Sequence, residues 1–347
     1  MMSRVRHSFA ALKLRLPSGA ASAIGSRWRR RDFAALLLTG AAVMAQAQAQ
    51  TQPRACPPVA RQPSAEQIQA AQAAARDRGF LWRISKDGRS SYLYGTIHLG
   101  KLDWAVPGPA LLKALSEVDV MALELDVSDS ATLQKLQSGM ARKPDEPALP
   151  PALQRRLSEE TAAACLPANA LDAQQPAVRA LTLVLLAARW DGLDAGYAQE
   201  LVLAGVAQSR GLPVVGLETV EEQLEALLPD SPAARLHFIE QAMAQLKSGA
   251  ARRGTQRLVQ AWAEGRLEEL ASYEQWCECV KTEEDRLQMR RLNDDRNPAL
   301  ASRIDRLHQQ GKTVFAGIGA LHMTGPKALP LLLQQRGYVV ERVSSTR

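Results

Sequence analysis

The sequence lacks the short motifs of the commonest hydrolases and nucleotide-binding enzymes. It has no His-Glu-x-x-His zinc motif, no Gly-x-Ser-x-Gly nucleophile elbow and no glycine-rich phosphate loop. Histidine is scarce, with five in 347 residues.

Most of the chain also lacks excess charge. Eight of the 43 Lys and Arg residues and one of the 36 acids fall within residues 1–50, and the remaining 35 of each sign balance. The net charge of +7 therefore does not indicate nucleic-acid binding.

The charged N-terminal stretch is typical of an export signal. A basic segment precedes an apolar run at 33–44, and Ala-Gln-Ala repeats follow, which predicts a signal peptide over residues 1–49. Arg30-Arg31-Asp32-Phe33 also resembles a twin-arginine signal. The apolar run is too short for a comfortable membrane span. We expect a bacterial protein that is periplasmic or secreted, with no stable membrane span after cleavage.

Residues 50–64 are rich in Gln, Ala and Pro, which predicts a disordered leader before a single domain at 65–347. Four cysteines follow the signal: Cys56, Cys165, Cys277 and Cys279. An even number in an oxidising compartment favours disulfide bonds, and three pairings are open. One residue separates Cys277 from Cys279, so each is expected to pair with a more distant cysteine. A Cys-x-Cys metal site is disfavoured, because no second cysteine pair or nearby histidine accompanies it.

Short apolar runs alternate with long helical segments. The stretch "FLWRISKDGRSSYLYGTIHL" predicts a hairpin, and "DVMALELDV", "GLPVVGLET", "GKTVFAGIGALHM" and "YVVERV" predict further strands. Residues 129–210 and 220–310 read as mainly helical. We therefore expect an α/β fold with a central mixed sheet flanked by many helices. Each half of the chain has a Gly-x-x-His strand and a Leu-Glu strand, which suggests a decayed internal duplication.

Four polar residues follow the predicted strands: His98, Glu124, Glu218 and His322. Ligands of open α/β sheets bind in the crevice outside the carboxyl ends of the strands. Two imidazoles and one or two carboxylates at that edge are suitable ligands for a divalent ion with open positions. Such an ion lowers the pKa of bound water and polarises a carbonyl. The sequence therefore predicts a metal-dependent hydrolytic site.

Each of these residues also has a structural interpretation. A histidine after an apolar strand is commonly a hydrogen-bonded packing residue. Glu218 is equally suited to capping the next helix, because Thr219 and two further acids follow it. Glu124 is the stronger candidate, because a carboxylate in an apolar strand must be paired or bound.

Several segments together closely resemble the TraB/GumN family: "YLYGTIHLG", "MALELD", "GLDAGYAQELVLAGVAQSRGLPVVGLETVEEQ", "RNPALASRI" and "GIGALHMTG". The resemblance covers roughly residues 75–345. This family is related to the Tiki metalloproteases and, more distantly, to erythromycin esterase and ChaN-like proteins. The resemblance implies a metal-dependent hydrolase, and the Tiki relatives typically use manganese or cobalt. We expect a divalent metal, which is manganese, cobalt or zinc.

By resemblance, His98 and His322 match the motif histidines and Glu124 matches the central glutamate. Arg296 falls in a further family segment and would hold a carboxylate, polarise a carbonyl or form an ion pair at a helix start. The other residues in family segments have no role assigned by the resemblance: Asp194, Glu218, Gln223 and Asn297.

Three functions follow as hypotheses. The first is a metallopeptidase-like hydrolase of peptides or small molecules, with the metal held by His98, Glu124, His322 and Glu218. The second is a metal-free esterase-type hydrolase in which His98 is the general base and Glu124 activates it. The third is a non-catalytic periplasmic protein that binds a peptide or haem.

Overall fold

The computed structural model describes residues 55–344. The predicted signal peptide and the first part of the predicted leader lie outside these residues. The strands are β1 (Phe80–Lys86), β2 (Arg89–Thr96), β3 (Val120–Leu123), β4 (Val214–Gly216), β5 (Val314–Gly319) and β6 (Val339–Arg342).

Helices connect the strands and build a large helical region. Helices α1 to α7 are Ala65–Ala73, Pro109–Ser116, Ser130–Met140, Pro151–Ala163, Pro176–Ala187, Gln199–Arg210 and Val220–Leu227. Helices α8 to α14 are Pro232–Ser248, Ala250–Ala263, Leu267–Ala271, Tyr273–Trp276, Glu283–Leu292, Asn297–Gln309 and Leu329–Gln335. Short 3-10 turns lie at Leu102–Trp104, Ala188–Asp191, Ala195–Tyr197 and Ala320–Met323.

The six strands form one mixed sheet in the order β4-β3-β5-β2-β1-β6. Strands β4, β3, β5 and β2 are mutually parallel, whereas β1 is antiparallel to both β2 and β6. The predicted α/β fold with a mixed sheet is confirmed. Since the four parallel strands point the same way, the residues that follow them lie along one edge of the sheet.

The predicted hairpin joins β1 to β2. Lys86 pairs with Arg89, so Asp87 and Gly88 form a two-residue turn. Their φ angles are 51° and 74°, and two successive positive values match the twist of the flanking strands. The turn therefore fixes the register that brings Gly95 opposite Phe80.

Strands β3 and β5 lie in the centre of the sheet and are covered on both faces. Met121, Leu123, Phe315 and Ile318 are fully buried, as expected for parallel strands between helices. A second apolar cluster fills the space between α4, α5 and α8. The central strands that lead to the site edge are therefore packed into the apolar core.

Two disulfide bonds are present in the described residues. Cys56 bonds to Cys165, which ties the segment before α1 to the end of α4. Cys277 bonds to Cys279, so the expectation of more distant partners was wrong. The chain turns at Glu278, so the Cα atoms of Cys277 and Cys279 lie 5.0 Å apart. Cys56 and Cys165 are bonded to each other and are therefore not available as more distant partners.

No helix within residues 55–344 is long and apolar enough to cross a membrane.

Candidate functional site

The polar residues at the four parallel strand ends form one cluster. Across the sheet their order is Glu218 after β4, Glu124 after β3, His322 after β5 and His98 after β2. The charges of Glu124 and Arg296 act on the pKa values of both His98 and His322, and Glu218 is bonded to Arg296. The structure therefore brings together all five residues that the sequence selected for the site.

Arg296 lies in the centre of this cluster, just before α13. Its Nη2 donates to Oε2 of Glu124 at 2.6 Å, and Nε donates to Oε1 of Glu218 at 2.8 Å. Nη2 also bonds to Glu218, and Nη1 donates to the Leu292 carbonyl at 2.8 Å. Nη1 lies 3.2 Å from Nε2 of His322. A guanidinium has five N–H groups. Each N–H group of Arg296 has an acceptor in these contacts, so Arg296 holds the other side chains in place.

Burial alone would lower the pKa of Arg296, but the bonds to Glu218 and Glu124 raise it above its ordinary value. The arginine is therefore permanently charged and offsets the two carboxylates. The cap of α7 is Thr219, whose hydroxyl accepts from the Glu222 amide. The carboxylate of Glu218 is thus free of the capping role and belongs to the cluster.

Glu124 is a buried, ionised carboxylate. Its Oε1 accepts the Gly319 amide at 2.7 Å, and its Oε2 accepts Gln223 Nε2 at 2.9 Å. Burial raises the pKa of Glu124, but the charges of His322, Arg296 and His98 outweigh it and hold the pKa at about 2. A Cβ atom on Gly319 would lie 3.2 Å from that Oε1. The glycine of the second Gly-x-x-His motif therefore lets the backbone bind the carboxylate.

His322 is buried and held in one orientation. Its Nδ1 lies 2.6 Å from Oδ1 of Asn297, whose Nδ2 donates to the carbonyls of His322 and Lys327. This network assigns the proton to Nδ1 and leaves a lone pair on Nε2, which faces Arg296. Burial, aided by the charge of Arg296, lowers the pKa of His322 to about 4. His322 is therefore a neutral imidazole at physiological pH.

His98 is the exposed member of the cluster. Its side chain is 67% exposed, and its Nδ1 lies 3.1 Å from Oε1 of Glu200, which is only 14% exposed. Glu200 also accepts from the Thr96 hydroxyl. The charge of Glu200 raises the pKa of His98 to about 9. The carboxylate in contact with His98 is therefore Glu200, whereas Glu124 is bound by Arg296, Gln223 and Gly319. Activation of His98 by Glu124 stays a prediction.

Glu200 was missed in the sequence, although a signal for it exists. It lies in the first turn of α6, in helical register with the buried residues Leu203, Ala204 and Ala207. An acid on an otherwise apolar helix face needs a partner, just as Glu124 does. Asp194, by contrast, lies outside the cluster and binds Arg189 at 2.7 Å and the Gly196 amide at 2.8 Å.

The donor types of the cluster suit a divalent ion, since imidazole and carboxylate groups bind such ions. Their arrangement does not, because Arg296 lies between the two carboxylates and against Nε2 of His322. Among residues 55–344, no group of three or more His, Cys, Asp or Glu side chains is placed to hold a metal ion. Manganese, cobalt or zinc at His98, Glu124, His322 and Glu218 therefore stays a prediction.

Comparison with known proteins agrees with the family resemblance. The chain is 33% identical over 178 residues to a Shigella flexneri protein described as uncharacterized protein YbaP; the match covers 47% of this chain and 64% of that protein. No solved structure matches the chain. The family model described as the TraB/PrgY/gumN family matches residues 80–342, a range that includes the whole cluster. The chain belongs to the TraB/PrgY/gumN family.

Proposed function

We propose that this protein is an exported hydrolase that cleaves an amide or ester bond of a peptide or small molecule at the strand-end cluster. The observation that carries the proposal is the exposed His98 imidazole, held through Nδ1 by the mostly buried carboxylate of Glu200. A carboxylate on one ring nitrogen orients the imidazole and stabilises its protonated form, which is the arrangement of a general base. The Cys56–Cys165 disulfide supports an oxidising environment and hence a periplasmic or secreted location.

In the proposed reaction the neutral form of His98, which is the minor form below its pKa of about 9, takes a proton from a water molecule through Nε2, and the resulting hydroxide attacks the carbonyl carbon. Glu200 stabilises the imidazolium that forms. The bond to the leaving nitrogen or oxygen then breaks, and the imidazolium returns its proton to the leaving group. Arg296, Glu124 and His322 act as positioning residues, because their bonding groups already bind one another.

A metal-dependent hydrolase is the second candidate, and a specific observation favours it. Both histidines are held at Nδ1, by Glu200 and Asn297. Among residues 55–344, neither Nε2 atom has a carboxylate or amide partner. Histidines that bind metals are usually anchored in this way through the other ring nitrogen. This candidate requires Arg296 to leave its position against His322.

The test is a hydrolysis screen with peptide and ester substrates, run with EDTA and separately with added manganese, cobalt or zinc. The exported protein, its His98→Ala variant and its Glu240→Gln variant are compared; Glu240 is an exposed acid of α8 and serves as the control. Turnover that survives EDTA and disappears in His98→Ala supports the first candidate. Turnover that requires stoichiometric metal supports the second. Peptide or haem binding without product under every condition would overturn both.

A further inference from the structure

A large cavity lies in the helical region, outside the strand-end cluster. Its volume is about 530 Å³, within the range of small-molecule pockets. Helices α5, α8 and α12 supply most of its walls. The apolar part of the lining includes Leu181, Val184, Ala234, Phe238, Leu287 and Leu292. The cavity is therefore large enough and apolar enough for a small organic molecule.

The cavity lining has more acids than cations: Asp230, Asp285 and Glu284 against Arg291, with His237 charged only if protonated. Arg291 binds Asp230 at 2.7 Å, and Nε2 of His237 lies 3.5 Å from Oδ1 of Asp285. Glu284 is exposed to solvent. Asp230 is bound by Arg291, Asp285 also accepts two backbone amides, and Glu284 faces solvent, so no buried carboxylate among these lining residues lacks a partner that a cation would supply. An anion placed there would lose its hydration and face the excess of acids.

The lining also has neutral polar side chains, namely Ser231, Tyr273, Gln241, Gln245 and Gln288. The side-chain amides of Gln241 and Gln245 make no hydrogen bond within the part of the chain that the structure describes. Apolar walls with a few polar groups that fix orientation are the usual composition of ligand pockets. A neutral molecule with a mainly apolar body and one or two polar groups fits this lining.

The cavity is adjacent to the strand-end cluster. Leu292, the last residue of α12, lines the cavity, and its carbonyl accepts from Arg296 Nη1 at 2.8 Å. The turn at 293–296 therefore separates Leu292 in the cavity wall from the central arginine.

We propose that this cavity is a binding site for a small, neutral, mainly apolar molecule. The site is separate from the catalysis proposed above and does not depend on it. Its test measures binding alone, so its failure is distinguishable from the failure of the proposed function.

The probe is N-phenylnaphthylamine, a neutral apolar dye whose fluorescence rises on burial, titrated into the exported protein. We expect saturable binding of one probe per chain. Ala234→Trp fills the cavity and should weaken binding roughly tenfold or more, since each tenfold is about 1.4 kcal/mol. Ala233→Trp places the same side chain at the adjacent, exposed position of α8 and should leave the affinity unchanged.

A second variant tests the cavity independently, in case Ala234→Trp does not fold. Leu287 lines the cavity but is 50% exposed, so Leu287→Asp adds a charge to the wall without emptying the core. It should also weaken probe binding, and the anionic dye anilinonaphthalene sulfonate should bind the wild type more weakly than the neutral dye. Non-saturable binding, equal affinities in both tryptophan variants, or tighter binding of the anionic dye would overturn the proposal.

Discussion

Nδ1 of His98 lies 3.1 Å from Oε1 of Glu200, which joins the end of β2 to the first turn of α6. The histidine is exposed and the carboxylate is mostly buried. A solvent-facing imidazole is thus held by an acid that cannot easily exchange its partner for water. Two predictions follow from this pair, one about its proton and one about the reaction.

Glu200→Gln should lower the pKa of His98 from about 9 toward the ordinary value of about 6.5, because the amide keeps the shape of the side chain but removes the charge. An NMR titration of the imidazole measures this shift. Glu240→Gln, an exposed acid of α8, should leave the pKa of His98 unchanged. An unchanged pKa in Glu200→Gln would mean that Glu200 is not the group that raises it.

The same substitution should change the pH dependence of hydrolysis. A general base works in its neutral form, so the wild-type rate should rise with pH up to about 9, where His98 loses its proton. In Glu200→Gln this rise should occur at lower pH. A pH profile of kcat/KM that is identical in both proteins would argue against His98 as the base.

The contact between His322 and Asn297 gives a prediction on tautomer and charge. Asn297→Asp keeps an oxygen acceptor for Nδ1 but adds a negative charge, so the pKa of His322 should rise from about 4. Asn297→Ala removes the acceptor and should lower turnover about 10- to 100-fold, as for other partners that orient site histidines. NMR titration and steady-state kinetics measure the two effects; equal turnover in wild type and Asn297→Ala would contradict the orienting role.

Arg296 should be essential for stability as well as for the site. Arg296→Met leaves two buried carboxylates without their cation, which typically costs about 3–5 kcal/mol of unfolding free energy. Adding Glu218→Gln removes one of these charges, so the double variant should be less destabilised than the sum of the single variants. Urea unfolding at neutral pH measures all three. Additivity within about 0.5 kcal/mol would mean that the two residues are not coupled.

His308 should account for part of the loss of unfolding free energy at acid pH. It is 1% exposed, and burial together with Arg89 and Lys86 lowers its pKa, against the opposing charges of Asp87 and Asp305. The unfolded chain therefore binds this proton more readily than the folded one. Above about pH 6.5 this histidine does not reduce the unfolding free energy. As pH falls from about 6.5 toward the lowered pKa, the unfolding free energy decreases.

His308→Phe removes that proton and keeps an aromatic ring against Tyr338. Between pH 7 and pH 5 the variant should lose less unfolding free energy than the wild type, by at most about 1.4 kcal/mol per pH unit. Urea unfolding across this range measures the difference. The buried His322 contributes a slope of the same sign in both proteins. Parallel curves for the two proteins would contradict the prediction.

The strands and the site edge were predictable because their signals are local. Short apolar runs marked the strands, and His98, Glu124, Glu218 and His322 each lie within three residues after a strand end. Parallel pairing of β2, β3, β4 and β5 then brings the four together, as the fold class implies. The suggested internal duplication stays a prediction.

Which side chains pair with each other was not predictable, because the pairings depend on packing between distant segments. Nothing near His98 in the sequence points to Glu200, and the central position of Arg296 depends on where the turn between α12 and α13 lies relative to Glu124 and Glu218. The same holds for the disulfides, since the pairing of Cys56 with Cys165 depends on where the N-terminal segment lies against α4.

The hydrogen bonds that build the cluster join residues far apart in the chain. Glu124 lies 172 positions from Arg296 and 195 from Gly319, and Arg296 lies 78 from Glu218. Closing such long loops is slow compared with forming helices. No contiguous half of the chain contains the cluster, so neither half by itself can have the proposed activity. During refolding, the proposed activity should therefore return after helical structure has formed, which would make it a late reporter of the completed fold.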